Sequence, residues 1–240
     1  MIMEQEDYSK IYEYESMGKE YAGEKACISL TSWKARINTV SKTLYSLVKM
    51  CPGFHIVLVL SKDEFPLMEK ELPDNLMLFV ENKLIELFWI RPNFKSFKKV
   101  LFTMDKYHDV PVISADDDME YRHNFAKELY DIWAQNKNNI IGNRIHNKLG
   151  LHIFSGGCGT IYPPNCFKQE GLKFLKEFNL SSSHDDLLYA LLAKKLNIDN
   201  HITRNDNRCL SYQQASISLY ETHQYNDEKN YDYYSKLVFK

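Results

Sequence analysis

The strongest constraint on this chain is an apolar strand that runs without a break into three acidic residues, Val110-Pro111-Val112-Ile113-Ser114-Ala115-Asp116-Asp117-Asp118. A short run of branched apolar residues reads as a buried strand, and carboxylates at its end mark the carboxyl edge of a sheet. Upstream, Ala26-Cys27-Ile28-Ser29-Leu30 reads as another buried strand, followed by Ile37, Val40, Leu44, Leu47 and Val48 at helical spacing. Pro52-Gly53 breaks that helix, and Phe54 to Leu60 forms a second branched strand. Strand, helix, strand in this order implies a right-handed crossover and a parallel pair. The expected fold class is therefore α/β.

Further along, Leu76–Val80 and Ile85–Ile90 read as strands and Ser96–Tyr107 as a helix. A helix over Phe125–Gln135, a strand at Ile140–His146, and helices near Cys166–Glu177 and Asp185–Lys195 complete the pattern. Residues 1–25 form a polar extension, helical or loosely ordered, and residues 26–240 one domain, since no repeat, low-complexity linker or composition shift divides them. At 240 residues, 44% hydrophobic and 26% charged, the chain is long and apolar enough for a single soluble core. A net charge of −2 gives no whole-chain attraction to nucleic acid. Five cysteines without a CxxC spacing argue against a disulfide framework and a zinc site, and favour a reducing compartment. The acidic amino terminus lacks a secretory pattern and no apolar run reaches membrane length, so a cytoplasmic protein is expected. The Tyr-rich, basic-ended tail 231–240 offers a surface for peripheral contact with the inner face of a membrane, against the alternative that it packs onto the domain. Oligomeric state is left open.

In open α/β sheets ligands bind beyond the carboxyl ends of the strands. Residues two apart in an extended chain project to one side, so Asp116 and Asp118 are expected to face a common ligand and Asp117 to face away. Hard carboxylate oxygens suit Mg²⁺ or Mn²⁺, which bind through one or two carboxylates plus substrate phosphates. The competing reading is a solvated acidic turn. Placement directly after Val-Ile-Ser-Ala favours the metal.

Five elements in order resemble bacterial GT-A-fold glycosyltransferases, nucleotide-diphospho-sugar transferases of the capsule or lipopolysaccharide type. They are Ile28-Ser29-Leu30-Thr31-Ser32-Trp33 with Arg36; Lys95-Ser96-Phe97-Lys98-Lys99; Ala115-Asp116-Asp117-Asp118; Gly156-Gly157-Cys158-Gly159 with Tyr162-Pro163-Pro164; and His184-Asp185-Asp186. The resemblance covers about residues 26–220. It implies a single-domain, Rossmann-like, mostly parallel sheet flanked by helices. It also implies a nucleotide-sugar donor, with a UDP-sugar the first expectation, and a saccharide or lipid-linked acceptor. Asp116 and Asp117 would touch the donor, and Asp118 with Asp116 would hold Mn²⁺ or Mg²⁺.

Thr31 and Arg36 follow the first buried strand, and Arg forms paired bonds to phosphate, so both are donor-side candidates. Lys95 and Lys99 share a face if their helix begins early enough, and otherwise lie on a solvated basic surface. Arg144 is a further candidate whose partner the sequence does not give. The loop Ser155–Thr160 is no P-loop, because no Gly-Lys-Ser/Thr follows, yet Gly156 and Gly157 permit close backbone approach and, by the resemblance, border the donor sugar. Asp185 and Asp186 suit the start of a helix, where carboxylates favour the dipole. By the resemblance, one of them is a general base for an inverting transfer, with Asp186 preferred to Asp185. His201 or His223 is available as a third metal ligand. A noncatalytic nucleotide- or sugar-binding module and a sugar nucleotidyltransferase are the alternatives. The second would place a glycine-rich loop where Thr31-Ser32-Trp33-Lys34-Ala35-Arg36 stands. A phosphohydrolase lacks a nucleophile motif beside the aspartates.

Overall fold

The computed structural model describes residues 12–167, 170–177, 184–203, 209–211 and 227–239. Its centre is the strand–helix–strand unit expected from the sequence: β2 (Cys27–Thr31), α1 (Val40–Met50) and β3 (His55–Ser61). Then come α2 (Asp74–Glu81), β4 (Glu86–Arg91), α3 (Lys98–Lys106) and β5 (Val112–Ser114). Parallel pairing joins β4 to β3, β3 to β2 and β2 to β5. Every residue of β3 is buried, as expected of a strand covered on both faces. Its side chains divide by parity: Val57 and Val59 enter one core and Ile56, Leu58 and Leu60 the other. The first core lies under α3, and the second under α1 and α2.

Beyond β5 the chain forms β6 (Met119–Tyr121), α4 (Phe125–Gln135), β7 (Ile140–Gly142), and a hairpin of β8 (Ile145–Lys148) and β9 (Leu151–Phe154). Leu149 and Gly150, both with positive φ, make the hairpin's turn. After β10 (Thr160–Tyr162) come α5 (Glu170–Glu177), α6 (Asp185–Lys195), β11 (Asn200–Ile202), β12 (Cys209–Ser211) and α7 (Asp227–Val238). With β1 (Glu13–Gly18) at one edge, the eight-stranded sheet runs β1-β4-β3-β2-β5-β10-β7-β11. Its centre is parallel and β1 and β10 run antiparallel, so the mostly parallel sheet flanked by helices is observed.

Three expectations change. Residues 76–80 are helical: α2 starts right after Pro73, buries Leu76 and Val80 four residues apart, and turns Leu78 outward. Residues 13–18, expected as helix or loose chain, form strand β1, whose side chains are almost all exposed and which is held by backbone pairing to β4. The single strand expected at 140–146 is two, β7 and β8, in different sheets. The tail takes the packing alternative in its described part, where α7 buries Tyr234 and Val238 in the core. No helix among the described residues is long and apolar enough to cross a membrane.

Candidate active site

The strand β5 stops at Ser114, and Asp117 and Asp118 lie in a turn before β6. That turn breaks the alternation expected of an extended chain. Asp116 points to α3, whereas Asp117 and Asp118 share the guanidinium of Arg36. Arg36 Nη1 donates to Asp118 at 2.7 Å, Nε donates to Asp117 at 3.2 Å, and Nη2 pairs with the second Asp117 oxygen. Asp117 is 1% exposed and also accepts from Ser32 Oγ at 2.6 Å. Arg36 therefore faces the carboxylates directly and serves as their clamp.

Lys99 is the second residue of α3 and is 4% exposed. Its Nζ is 2.7 Å from Asp116 and 3.0 Å from Asp185, in the first turn of α6. The solvated-surface alternative is thus wrong for Lys99. Lys98 is buried too, but its amine turns the other way, to the Lys95 carbonyl at 3.0 Å and Glu64 at 3.7 Å. Burial brings the Lys98 amine down to about 8. Lys95 has φ of 49° in a 3-10 turn, so it does not share a helix face with Lys99, and no described contact joins its ammonium to the triplet. The Thr31 hydroxyl is committed to the Val59 carbonyl at 2.7 Å. Arg144 is exposed.

Gly156 and Gly157 form a 3-10 turn against the same carboxylates. The Gly156 N–H donates to both Asp186 oxygens, at 3.2 and 3.3 Å. A Cβ at Gly156 would lie 2.8 Å from Asp186 Oδ1, and one at Gly157 would overlap Asp116 Oδ2. Close approach, not positive φ, requires glycine at both positions. Tyr121, which no sequence motif singled out, ties the two sides: its hydroxyl accepts the Asp116 N–H at 2.8 Å and donates to the Gly157 carbonyl at 2.9 Å. Ser32, quoted in the first motif without a role, and Thr43, in no motif, also support the turn. Thr43 Oγ1 bonds the carbonyls of Asp117 and Met119 at 2.9 and 2.8 Å, pinning the turn to α1.

The segments around 36, 99, 116–118, 156–157 and 185–186 thus meet at the carboxyl edge of the parallel strands. His201 stands in β11 opposite Ile141, three strands from β5, or about 14 Å at ordinary strand spacing. The His201 side chain lies outside the described residues, as does His223.

Negative charge dominates this edge. Five carboxylates (Asp116, Asp117, Asp118, Asp185, Asp186) meet two contacting cations, Arg36 and Lys99, among the described residues. Burial pushes Asp117 up to about 6 even beside Arg36. Burial and the charge of Asp116 also raise Asp118. Burial and Asp185 hold Asp186 well above the ordinary carboxylate range. Asp116 goes the other way: burial works to raise it, but the Lys99 ammonium brings it below its usual value. Lys99 itself, despite burial, is held well above the ordinary lysine range by Asp116 and Asp185. Uncompensated negative potential of this kind is what a bound cation relieves. The side chains of Asp116 and Asp118 are 37% and 29% exposed, open toward solvent as ligands of an entering ion must be. No closed cage of three or more His, Cys, Asp or Glu exists among the described residues. Mg²⁺ and Mn²⁺ bind through as few as one or two carboxylates and complete their shells with water and phosphate, so the solvent-open Asp116 and Asp118 are the residues whose chemistry fits such an ion.

No family model matches the chain, and no curated protein does either. Solved structures do. A mannosyltransferase from Pyrobaculum calidifontis, in complex with GDP-Man and Mn²⁺, aligns over 88% of this chain and 63% of its own, at TM-score 0.52 and 13% identity. Residues 1–349 of S. aureus TarS align over 75% of this chain and 58% of their own, at TM-score 0.50 and 13% identity. The chain spans less than two thirds of either. At such identity the likeness is one of fold: this is an α/β domain with the sheet architecture of glycosyltransferase structures.

Proposed function

We propose that this protein is a glycosyltransferase that moves a sugar from a nucleoside-diphosphate donor, with a UDP-sugar the first candidate, to a saccharide or lipid-linked acceptor. The observation that carries the reading is the meeting of Asp116, from the triplet, with Asp185, from the second acidic pair, across the single ammonium of Lys99 at the carboxyl edge of the sheet, where ligands bind in open α/β folds. The fold, shared with glycosyltransferase structures, supports it. An orphaned donor supports it as well: Trp33 Nε1, just past β2, is buried without a hydrogen-bond partner among the described residues.

In this reading Asp116 and Asp118 hold Mn²⁺ or Mg²⁺, which would supply positive charge to the diphosphate leaving group. Arg36 fixes the buried Asp117 and so pins the turn that carries Asp118, whose own contact with Nη1 gives way when an ion binds. Asp186 is the general base. Its oxygens rest on the Gly156 N–H, and burial beside Asp185 raises its proton affinity. It serves as base in its ionised form, which a cation entering beside Asp116 favours by offsetting nearby negative charge. It takes the proton of the acceptor hydroxyl as that oxygen bonds to the anomeric carbon. The bond from that carbon to the diphosphate oxygen breaks on the opposite face, so configuration inverts and the nucleoside diphosphate leaves with the bonding pair. Capsule or lipopolysaccharide assembly at the cytoplasmic face of the membrane is the setting this chemistry suits. The test is Asp186→Asn, assayed for nucleoside diphosphate binding and for sugar transfer. Binding retained with transfer lost is expected; full turnover would remove Asp186 as the base.

A further inference from the structure

Lys99 carries its ammonium between Asp116 and Asp185, and its two contacts are unequal. Toward Asp116 its ammonium makes a hydrogen bond of 2.7 Å. Toward Asp185 it makes an ion pair of 3.0 Å that lacks hydrogen-bond alignment, and Asp185 Oδ2 is a buried acceptor with no hydrogen-bond partner among the described residues. A buried carboxylate oxygen beside an ammonium that is not aligned with it forgoes part of the stabilisation an aligned bond would give. A lysine has three donors on one rotatable centre, so a small shift toward α6 completes the missing bond. Asp116, meanwhile, cannot hold a divalent ion and an ammonium at close range without strong repulsion between them.

Resting on the function proposed above, we propose that Lys99 is a positioning residue that holds the place of a divalent cation at Asp116. When the cation arrives, Lys99 transfers its contact to Asp185, so that filling the donor side orders the acidic pair on the acceptor side. A lysine that only neutralises buried acids would not make this transfer, and the two roles differ in how Asp185 influences metal binding. Among the described contacts, Asp185 reaches the metal side through Lys99. If the ammonium moves to Asp185, that residue assists metal binding when Lys99 is present and does nothing when it is absent. If Asp185 acts by bulk charge, it assists in both cases.

The experiment titrates the full chain with Mn²⁺ alone, following free Mn²⁺ by electron paramagnetic resonance. Wild type, Asp185→Asn, Lys99→Met and the double variant form a cycle, with Asp116→Asn as the variant lacking the ligand. Lys99→Gln replaces Lys99→Met if the latter does not melt cooperatively. Asp185→Asn is expected to weaken Mn²⁺ binding about tenfold when Lys99 is present and less than about twofold when it is not. Equal weakening in both backgrounds overturns the proposal and leaves the metal reading standing. Absence of Mn²⁺ binding in every variant removes the metal reading, and the Lys99 proposal falls with it.

Discussion

Replacing Arg36 with Met keeps the apolar stem and removes the cation that clamps Asp117 and Asp118. Asp117 is 1% exposed, and burial already raises its carboxyl to about 6 with Arg36 in place. Its ordinary value is 3.8, so the folded state binds a proton that the unfolded chain has released between those two values. The sign follows: Asp117 costs the fold nothing below pH ~4 and progressively more as pH rises to about 6, reaching about 3 kcal/mol above it. Without Arg36 the folded carboxyl rises further, and the cost grows in the same direction. Breaking a buried ion pair by removing one partner costs about 3–5 kcal/mol while the remaining group is charged. At pH 8 Asp117 is charged in wild type, so that full cost is expected. At pH 5 it is largely protonated already, and the loss should fall below about 2 kcal/mol. Urea unfolding of wild type and Arg36→Met at pH 5 and pH 8 measures both. Equal destabilisation at the two pH values would refute the assignment of Arg36 as the counter-ion of a strained carboxylate.

Gly157→Ala places a methyl against Asp116 Oδ2 and should displace that carboxylate; the expected result is a native melting temperature within a few degrees and Mn²⁺ affinity reduced about tenfold or more, and unchanged affinity would contradict the packing described. Tyr234→Ala removes a fully buried ring packed on Phe97 and Phe174; a loss of about 3–5 kcal/mol and a clear drop in melting temperature are expected, and an unaffected melt would mean that α7 is not part of the core.

The sheet's centre was legible because β2 and β3 are buried on both faces, and a continuous branched run bounded by Pro52-Gly53 has few other readings. Leu76–Val80 misled for the same reason, since an unbroken apolar run carries no periodicity; Pro73 followed by Asp74 was the helix-start signal that separates the two cases. Strand β1 was invisible because its side chains face water and only its backbone is used. Of the site, the triplet's place at the strand end and the acidic pair at a helix start were readable locally. The contact of Lys99 with Asp185, 86 residues away, was not, because it exists only once α3 and α6 pack together. Arg36 was legible by type, but its pairing with Asp117 and Asp118, more than 80 residues away, was not, because that contact too exists only in the folded chain.

If the carboxylates at the end of β5 serve a glycosyl transfer, a nucleoside diphosphate and a divalent ion share them. Calorimetric titration of wild type and Asp118→Ala with a panel of nucleoside diphosphates, with and without Mn²⁺, tests it most directly. Wild type is expected to bind a nucleoside diphosphate more tightly with Mn²⁺, and Asp118→Ala to lose that gain. Binding of equal strength in both proteins, indifferent to the metal, would contradict it.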